Sequence, residues 1–201
     1  MNQNNSKATL KSGQEPLTTN HTKTAFIISD FWRWNASDLV SNTTRGRFAE
    51  FIVGTAAGVN FSEPRREWDN YDLDTPSGIK IEVKSSAYIQ SWKQKKRTDI
   101  RFDIKLTKEY IPEKDERVGP PKRHADVYVF CLLKHQVRDT IDPLNMGQWE
   151  FYVVATKTLN IILGNQKSIS LNPLRKLAEP LSYSQIADEI NKKKDISQQS
   201  N

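Results

Sequence analysis

The sequence predicts a mixed α/β or α+β sheet domain. Three observations point there. An amphipathic helical period runs from about Thr43 to Gly58. Apolar and charged residues then alternate on either side of a Thr75-Pro76-Ser77-Gly78 turn, the mark of a hairpin with one covered face. Val127–Leu133 reads VYVFCLL, a continuous apolar run expected of a strand covered on both faces. Short helical patterns follow, so the order is helix, strands, helices, which means a sheet with helices packed on it.

Residues 1–23 are rich in Asn, Ser, Thr, Gln and Lys and are expected to form a disordered leader. Residues 195–201 have a similar composition and are expected to be a tail, which leaves 24–194 as a single domain. Phe31, Trp32 and Trp34 open the ordered part and read as core or as a packed lid. In the helix that follows, Phe48, Phe51, Ile52 and Thr55 fall at i, i+3, i+4 and i+7 and form the expected buried face. Glu50 lies off that face, with Gly46 and Gly54 one turn to either side, where a second backbone can come close.

Strands are expected at Tyr71–Asp74, Ile79–Ser85, Ile100–Leu106, Asp126–Leu133 and Trp149–Ala155. The charged, Pro- and Gly-punctuated stretch Thr107–Arg123 reads as a loop. Helices are expected near Thr158–Leu163, Asn172–Leu177 and Ser184–Lys193, the last with Ser184 as N-cap and Ile186 and Ile190 on one face.

Composition narrows the function classes. The 201 residues carry 30 Lys and Arg against 24 Asp and Glu, a formal charge of +6, which suits a polyanionic partner. A single cysteine, Cys131, excludes an internal disulfide framework and any zinc site with more than one thiolate. The longest apolar run is far short of a membrane span and no signal segment opens the chain, so a soluble cytoplasmic protein with no membrane partner is expected.

Strand alternation places Ile79, Ile81 and Val83 on one face and Lys80, Glu82 and Lys84 on the other. With the turn at Thr75–Ile79, Asp74 faces Lys80 and Asp72 faces Glu82, at the roughly 5 Å spacing of opposed Cβ atoms. Two carboxylates that close repel, and a hard divalent cation relieves the repulsion. Lys84 lies about 7 Å further along the strand, within reach of a water or a phosphate oxygen. Asp69, Asp72 and Asp74 compete for the role of first acid. Asp72 is preferred because it alone faces Glu82, while Asp74 is matched by Lys80.

Asp72, the Gly78 turn and Glu82-Val83-Lys84 on an apolar strand resemble the PD-(D/E)XK nuclease superfamily, which implies an α/β, restriction-endonuclease-like fold, a central mixed β-sheet flanked by helices with the site at one edge. The likeness spans about Arg45 to Trp92, and Tyr71 stands where the name-giving proline would be. It implies Asp72 and Glu82 as catalytic acids that bind Mg²⁺ (or Mn²⁺) together with the Val83 carbonyl. It also implies Lys84 as catalytic lysine and Glu50 as the glutamate of the preceding helix. The activity implied is phosphodiester hydrolysis in DNA, RNA being the other nucleic acid left open, by in-line attack that leaves 5′-phosphate and 3′-hydroxyl ends. An endonuclease is favoured, and a homodimer is left open because duplex cutters often need two sites.

Beyond the motif, Gln90 is a candidate to orient a water or phosphate, and Trp92 to stack on a base. Lys93, Lys95, Lys96 and Arg97 are candidates for phosphate contacts. From Lys93 to Arg123 there are eleven Lys and Arg against six Asp and Glu, so most of the excess charge follows the motif. Asp103-Ile104-Lys105 is a rival acid-x-lysine triplet that lacks an acid across a Gly turn. The competing readings are a non-catalytic nucleic-acid-binding module on the same fold and a solvated hairpin with surface ion pairs.

Overall fold

The computed structural model describes residues 8–65 and 69–198. Strands β1 (Pro16–Thr19) and β2 (Thr22–Ile27) form a hairpin, followed by helices α1 (Ile28–Ala36) and α2 (Asn42–Ala56). Then come β3 (Leu73–Asp74), β4 (Lys80–Ala87), β5 (Arg101–Asp103), β6 (Thr107–Ile111), β7 (Glu116–Lys122), β8 (Val127–Leu133) and β9 (Trp149–Ala155). The chain ends with α3 (Thr156–Leu163), β10 (Ser168–Ser170), α4 (Leu171–Arg175) and α5 (Ile186–Gln198).

The architecture is mixed α/β. Among the described residues the main sheet has the order β3-β4-β8-β9, and β1-β2, β10-β5 and β6-β7 form three two-stranded sheets. β4 runs antiparallel to β3 and parallel to β8, pairing Glu82 with Tyr128, while β8 runs antiparallel to β9, pairing Val129 with Val153.

Alternation along these strands sorts the side chains into two cores. Ile81, Val83, Val129, Cys131 and Val153 pack with Ala49, Ile52 and Val53 of α2 and Ile186 and Ile190 of α5. Tyr128, Phe130, Tyr152 and Val154 point the other way, against Phe102, Ile104, Leu159, Ile169 and Leu174. All seven residues of β8 are buried, which is why its sequence is apolar without alternation.

Several expectations give way. Residues 16–27 form the β1–β2 hairpin where a disordered leader was expected; residues 1–7 lie outside the described residues. At the other end α5 continues to Gln198, so the expected tail is helical over its first four residues, and residues 199–201 are outside the described residues. Thr107–Arg123 contains the β6–β7 hairpin, an exposed ribbon in which Gly119, Pro120 and Pro121 occupy a strand that no further strand pairs with.

The buried face of α2 is Arg45, Ala49, Ile52 and Val53, rotated from the expected one; Phe51 and Thr55 are exposed. Small Ala49 lets α2 approach β4, which the bulk of Phe51 would prevent. Gly54 makes room for a ring and not for a backbone, since a Cβ there would lie 2.6 Å from Phe61 Cζ, and the space beside Gly46 is open. Phe31, Trp32 and Trp34 are all exposed on α1, neither core nor lid. The N-terminal cap before α5 is Ser182, whose side chain and that of Gln185 form a capping box, and not Ser184.

Arg45 ties α2 to the sheet. It is 4% exposed, and its guanidinium donates to the Val40 carbonyl (2.8 Å), Asn42 Oδ1 (2.7 Å), Ser85 Oγ (3.2 Å) and Gln90 Oε1 (3.4 Å). Burial pulls its pKa down to about 10, so it stays charged at neutral pH. Replacing Arg45 with Ala removes four hydrogen bonds and leaves the buried Gln90 oxygen and the half-buried Val40 and Ser85 acceptors unpaired. The expected loss is about 3 kcal/mol, a fall in Tm of roughly 6–12 °C. Arg45→Lys is expected to recover less than half, because one ammonium cannot span the same acceptors. Thermal denaturation of the three proteins checks this; an unchanged Tm for Arg45→Ala would remove the anchoring role.

Candidate active site at the hairpin

The β3–β4 turn is built as its residue types dictate. Gly78 takes φ +77°, its N–H donates to the Thr75 carbonyl (2.8 Å), and Thr75 Oγ1 accepts from the Ile79 N–H (2.9 Å). This fixes the register at Asp74 opposite Lys80 and Leu73 opposite Ile81. Two residues before Asp74, Asp72 therefore comes to Glu82, as the hairpin arithmetic expects. The ladder of β3 is only two residues long, and a side chain extends it: the Val83 N–H donates to Asp72 Oδ2 at 2.7 Å, and the Asp72 N–H to the Ile81 carbonyl at 3.0 Å.

Lys84 Nζ donates to Glu82 Oε1 at 2.5 Å, with both side chains mostly covered. Burial foremost, and then the charge of Asp72, pushes the Glu82 carboxyl above its ordinary pKa against the pull of Lys84. Burial also works against the Lys84 ammonium, but Glu82 and Asp72 outweigh it and hold its proton more tightly than usual.

Glu50 on α2 is gripped by Arg65, which donates through Nε (2.5 Å) and Nη2 (2.8 Å). Burial raises its carboxyl, Arg65 opposes the rise, and Asp72 and Lys84 are close enough to act on it as well. Glu50, Asp72, Glu82 and Lys84 thus form one electrostatic unit. It holds three carboxylates, one paired with Lys84, one with Arg65, and the third receiving a backbone N–H. Among the described residues, no three His, Cys, Asp or Glu side chains form a group that could hold a metal. A cation here would therefore draw on the two hairpin acids and a backbone oxygen. The Lys80 carbonyl accepts from the Asp126 N–H and so faces β8. By alternation the backbone groups of Val83 face the opposite edge, toward Asp72.

The two halves of the unit line different hollows. Glu50 and Asp72 line a cavity of about 480 Å³ together with Arg47, Phe61, Arg65, Asp69 and Tyr71. Glu82 and Lys84 line a small polar one of about 60 Å³ with Asn70, Asp103, Lys105 and Tyr128. The rival triplet thus forms the opposite wall of the second hollow, its Asp103 and Lys105 paired at 3.2 Å. Of the competing acids, Asp69 and Asp74 are exposed. Lys80 does face Asp74 across the ladder, but its ammonium lies over the Tyr71 ring, 5.2 Å from the centroid.

Gln90 does not face solvent. It is 4% exposed, its amide donates to the Ala87 carbonyl (2.9 Å) and Thr98 Oγ1 (3.1 Å), and its oxygen accepts from Arg45. Its role is to anchor the next loop, not to meet a phosphate. In that loop Gln94 bonds Tyr88, Thr98 and the Gln90 N–H, while Trp92, Lys93, Lys95, Lys96 and Arg97 are all exposed.

Sequence reasoning missed Arg65, Asn70 and Tyr128. Arg65 meets Glu50 from fifteen residues away, with no local pattern to announce it. Asn70 accepts from the Tyr110 N–H (2.7 Å) and donates to its carbonyl (3.0 Å), tying the β6–β7 hairpin to the wall of the site. Tyr128 was legible only as part of a buried run.

A search among curated proteins finds no match. The family model for bacteriophage T4 endonuclease IV matches residues 14–173, from just before β1 into α4, and the match contains Glu50, Asp72, Glu82 and Lys84. With four-fifths of its length matched, the chain belongs to the bacteriophage T4 endonuclease IV family, a family of nucleases.

Proposed function

We propose that this protein is a metal-dependent endonuclease acting on DNA, with a site of the PD-(D/E)XK type on a restriction-endonuclease-like sheet. The observation that carries this reading is the hairpin register: it brings Asp72 beside Glu82 and Lys84 on a strand of a mixed sheet, with Glu50 of α2 in electrostatic reach. Membership of an endonuclease family independently supports the cutting of DNA, the coarser part of this reading.

The donor set suits Mg²⁺, with Mn²⁺ as a substitute. Asp72, Glu82 and the Val83 carbonyl offer hard oxygens only, and the repulsion between the two acids is what a divalent cation would relieve. When bound, the ion supplies polarisation of the scissile phosphate and a more acidic water. The chain's own residues do the rest. Lys84 keeps its proton and so presents a fixed positive charge to the phosphoryl oxygens as negative charge builds on them. Arg65 holds Glu50 against α2 and keeps its carboxylate aimed at the Asp72 side. The loop of residues 91–97, stapled by Gln94, offers Lys93, Lys95, Lys96 and Arg97 to the phosphates flanking the cut and Trp92 to a base. In-line attack leaves 5′-phosphate and 3′-hydroxyl ends.

The direct test is incubation with single-stranded and supercoiled DNA, with Mg²⁺ and with EDTA. Cleavage is expected only with the metal, and Lys84→Ala is expected to lower kcat by roughly 10²–10³. Equal cleavage by Lys84→Ala, or undiminished cleavage in EDTA, would end the assignment. The raised pKa of Glu82 sets a second expectation. A cation needs the carboxylate form, so at subsaturating Mg²⁺ the metal-induced rise in Tm should fade on acidification at a pH above the ordinary glutamate range. Glu82→Gln should show no such rise at any pH. A rise that persists undiminished down to pH 4.5 contradicts the donor assignment. For the loop, replacing Lys93, Lys95, Lys96 and Arg97 with Ala together should raise KM and flatten its salt dependence by up to about 0.7–0.9 log units per lost phosphate contact, with kcat unchanged. Steady-state kinetics across a salt series reads this out, and an unchanged slope places the DNA elsewhere.

A further inference from the structure

Tyr128 is 4% exposed and sits beside Glu82 in the parallel register of β4 and β8. Its ring packs in the second core, stacked on Phe130 with centroids 5.9 Å apart. Among the described residues no hydrogen bond is made by its hydroxyl, yet the only fully buried unpaired side-chain oxygen there is Thr156 Oγ1, so the Tyr128 oxygen keeps an opening to the hollow it lines. Buried tyrosine hydroxyls normally find a partner, and Tyr152 on the neighbouring strand does: it donates to Glu150 Oε2 (2.7 Å) and accepts from Arg175 Nε (3.0 Å). Phe130, on the same face of the same strand, packs in the same core with a ring that carries no hydroxyl. The hydroxyl of Tyr128 is therefore not explained by the fold.

It is explained by what it borders. Tyr128 lines the 60 Å³ hollow together with Glu82, Lys84 and Asp103. That hollow is polar and has room for about two waters, and a held water needs two to four polar partners. Lys84 spends one of its three donors on Glu82, which leaves others for a second partner.

We infer that Tyr128 is a further catalytic residue: its hydroxyl, with the Lys84 ammonium and the Glu82 carboxylate, holds the water that attacks the phosphodiester. The inference rests on the nuclease reading above and extends it. The water oxygen bonds to phosphorus as the bond from phosphorus to the 3′ oxygen breaks. One water proton leaves to solvent and the 3′ oxygen takes one up, so atoms and charge balance. Burial, and then the charge of Glu82, keeps the phenol protonated well beyond its ordinary range. It therefore orients the water and does not deprotonate it.

The test is Tyr128→Phe beside Tyr152→Phe, assayed on DNA with Mg²⁺ for kcat, KM and Tm. Tyr128→Phe is expected to lose at least about tenfold in kcat, with KM within about twofold and Tm unchanged or higher. A phenol is a proton donor near neutral pH, so over that range the pH–rate profile should fall without changing shape. Tyr152→Phe, whose hydroxyl is structural, should lower Tm and leave kcat near the wild-type value. Wild-type kcat in Tyr128→Phe, or a loss matched by a fall in Tm, overturns the inference and leaves the nuclease reading standing. A wild-type protein that cleaves no DNA with Mg²⁺ or Mn²⁺ removes both.

Discussion

Two hydrogen bonds hold Asp72 on β4: its own N–H donates to the Ile81 carbonyl, and its carboxylate accepts from the Val83 N–H. The β3–β4 ladder itself is short, with only Leu73 and Asp74 in register on the β3 side. The carboxylate of Asp72 carries the attachment further along β4, to Val83, and in doing so is fixed beside Glu82. The bond from Val83 occupies one Asp72 oxygen and leaves its other lone pairs for a second partner. Structural and chemical roles are thus combined in one side chain, and Asp72 has no freedom to relax away from the acid that repels it.

That constraint explains the electrostatics around it. Burial raises both Glu82 and Glu50, each of which is met by one cation, Lys84 and Arg65. Without such partners, buried carboxylates would take up a proton more readily still. With them, the set stays poised between being satisfied and being overfull of negative charge. The sheet supplies the rigidity this requires. β8 is buried on both faces, so β4, which pairs with it along its length from Ile81 to Ala87, cannot shift to relieve the strain.

Much of this was legible in the sequence where a local rule decided the outcome. The Thr-Pro-Ser-Gly turn specified the register, and the register placed Asp72 at Glu82. The apolar run specified β8, and the spacing of Ile186 and Ile190 specified the inward face of α5, both residues being buried. The failures arose where a distant partner decided. Helical periodicity favoured Phe48 and Phe51; Phe48 does pack against the core, but close packing on β4 selected Ala49 and Val53 over Phe51. Charge and proline made residues 107–123 look irregular, yet an exposed ribbon needs no apolar face, and Asn70 holds it from outside. Gln90 looked like a solvent-facing polar residue until Arg45, from α2, and Thr98 enclosed it. In each case the deciding contact was tens of residues away or depended on shape, and neither leaves a mark in local spacing.

The position of Cys131 has a consequence of its own. This sole sulfur nucleophile is fully buried at the centre of β8, with its thiol pushed well above the ordinary range by burial. Thiolate is the reactive form, and here it is both suppressed and sealed. Oxidants and electrophiles can reach it only through opening of the main sheet, so modification of this thiol would report unfolding of the sheet.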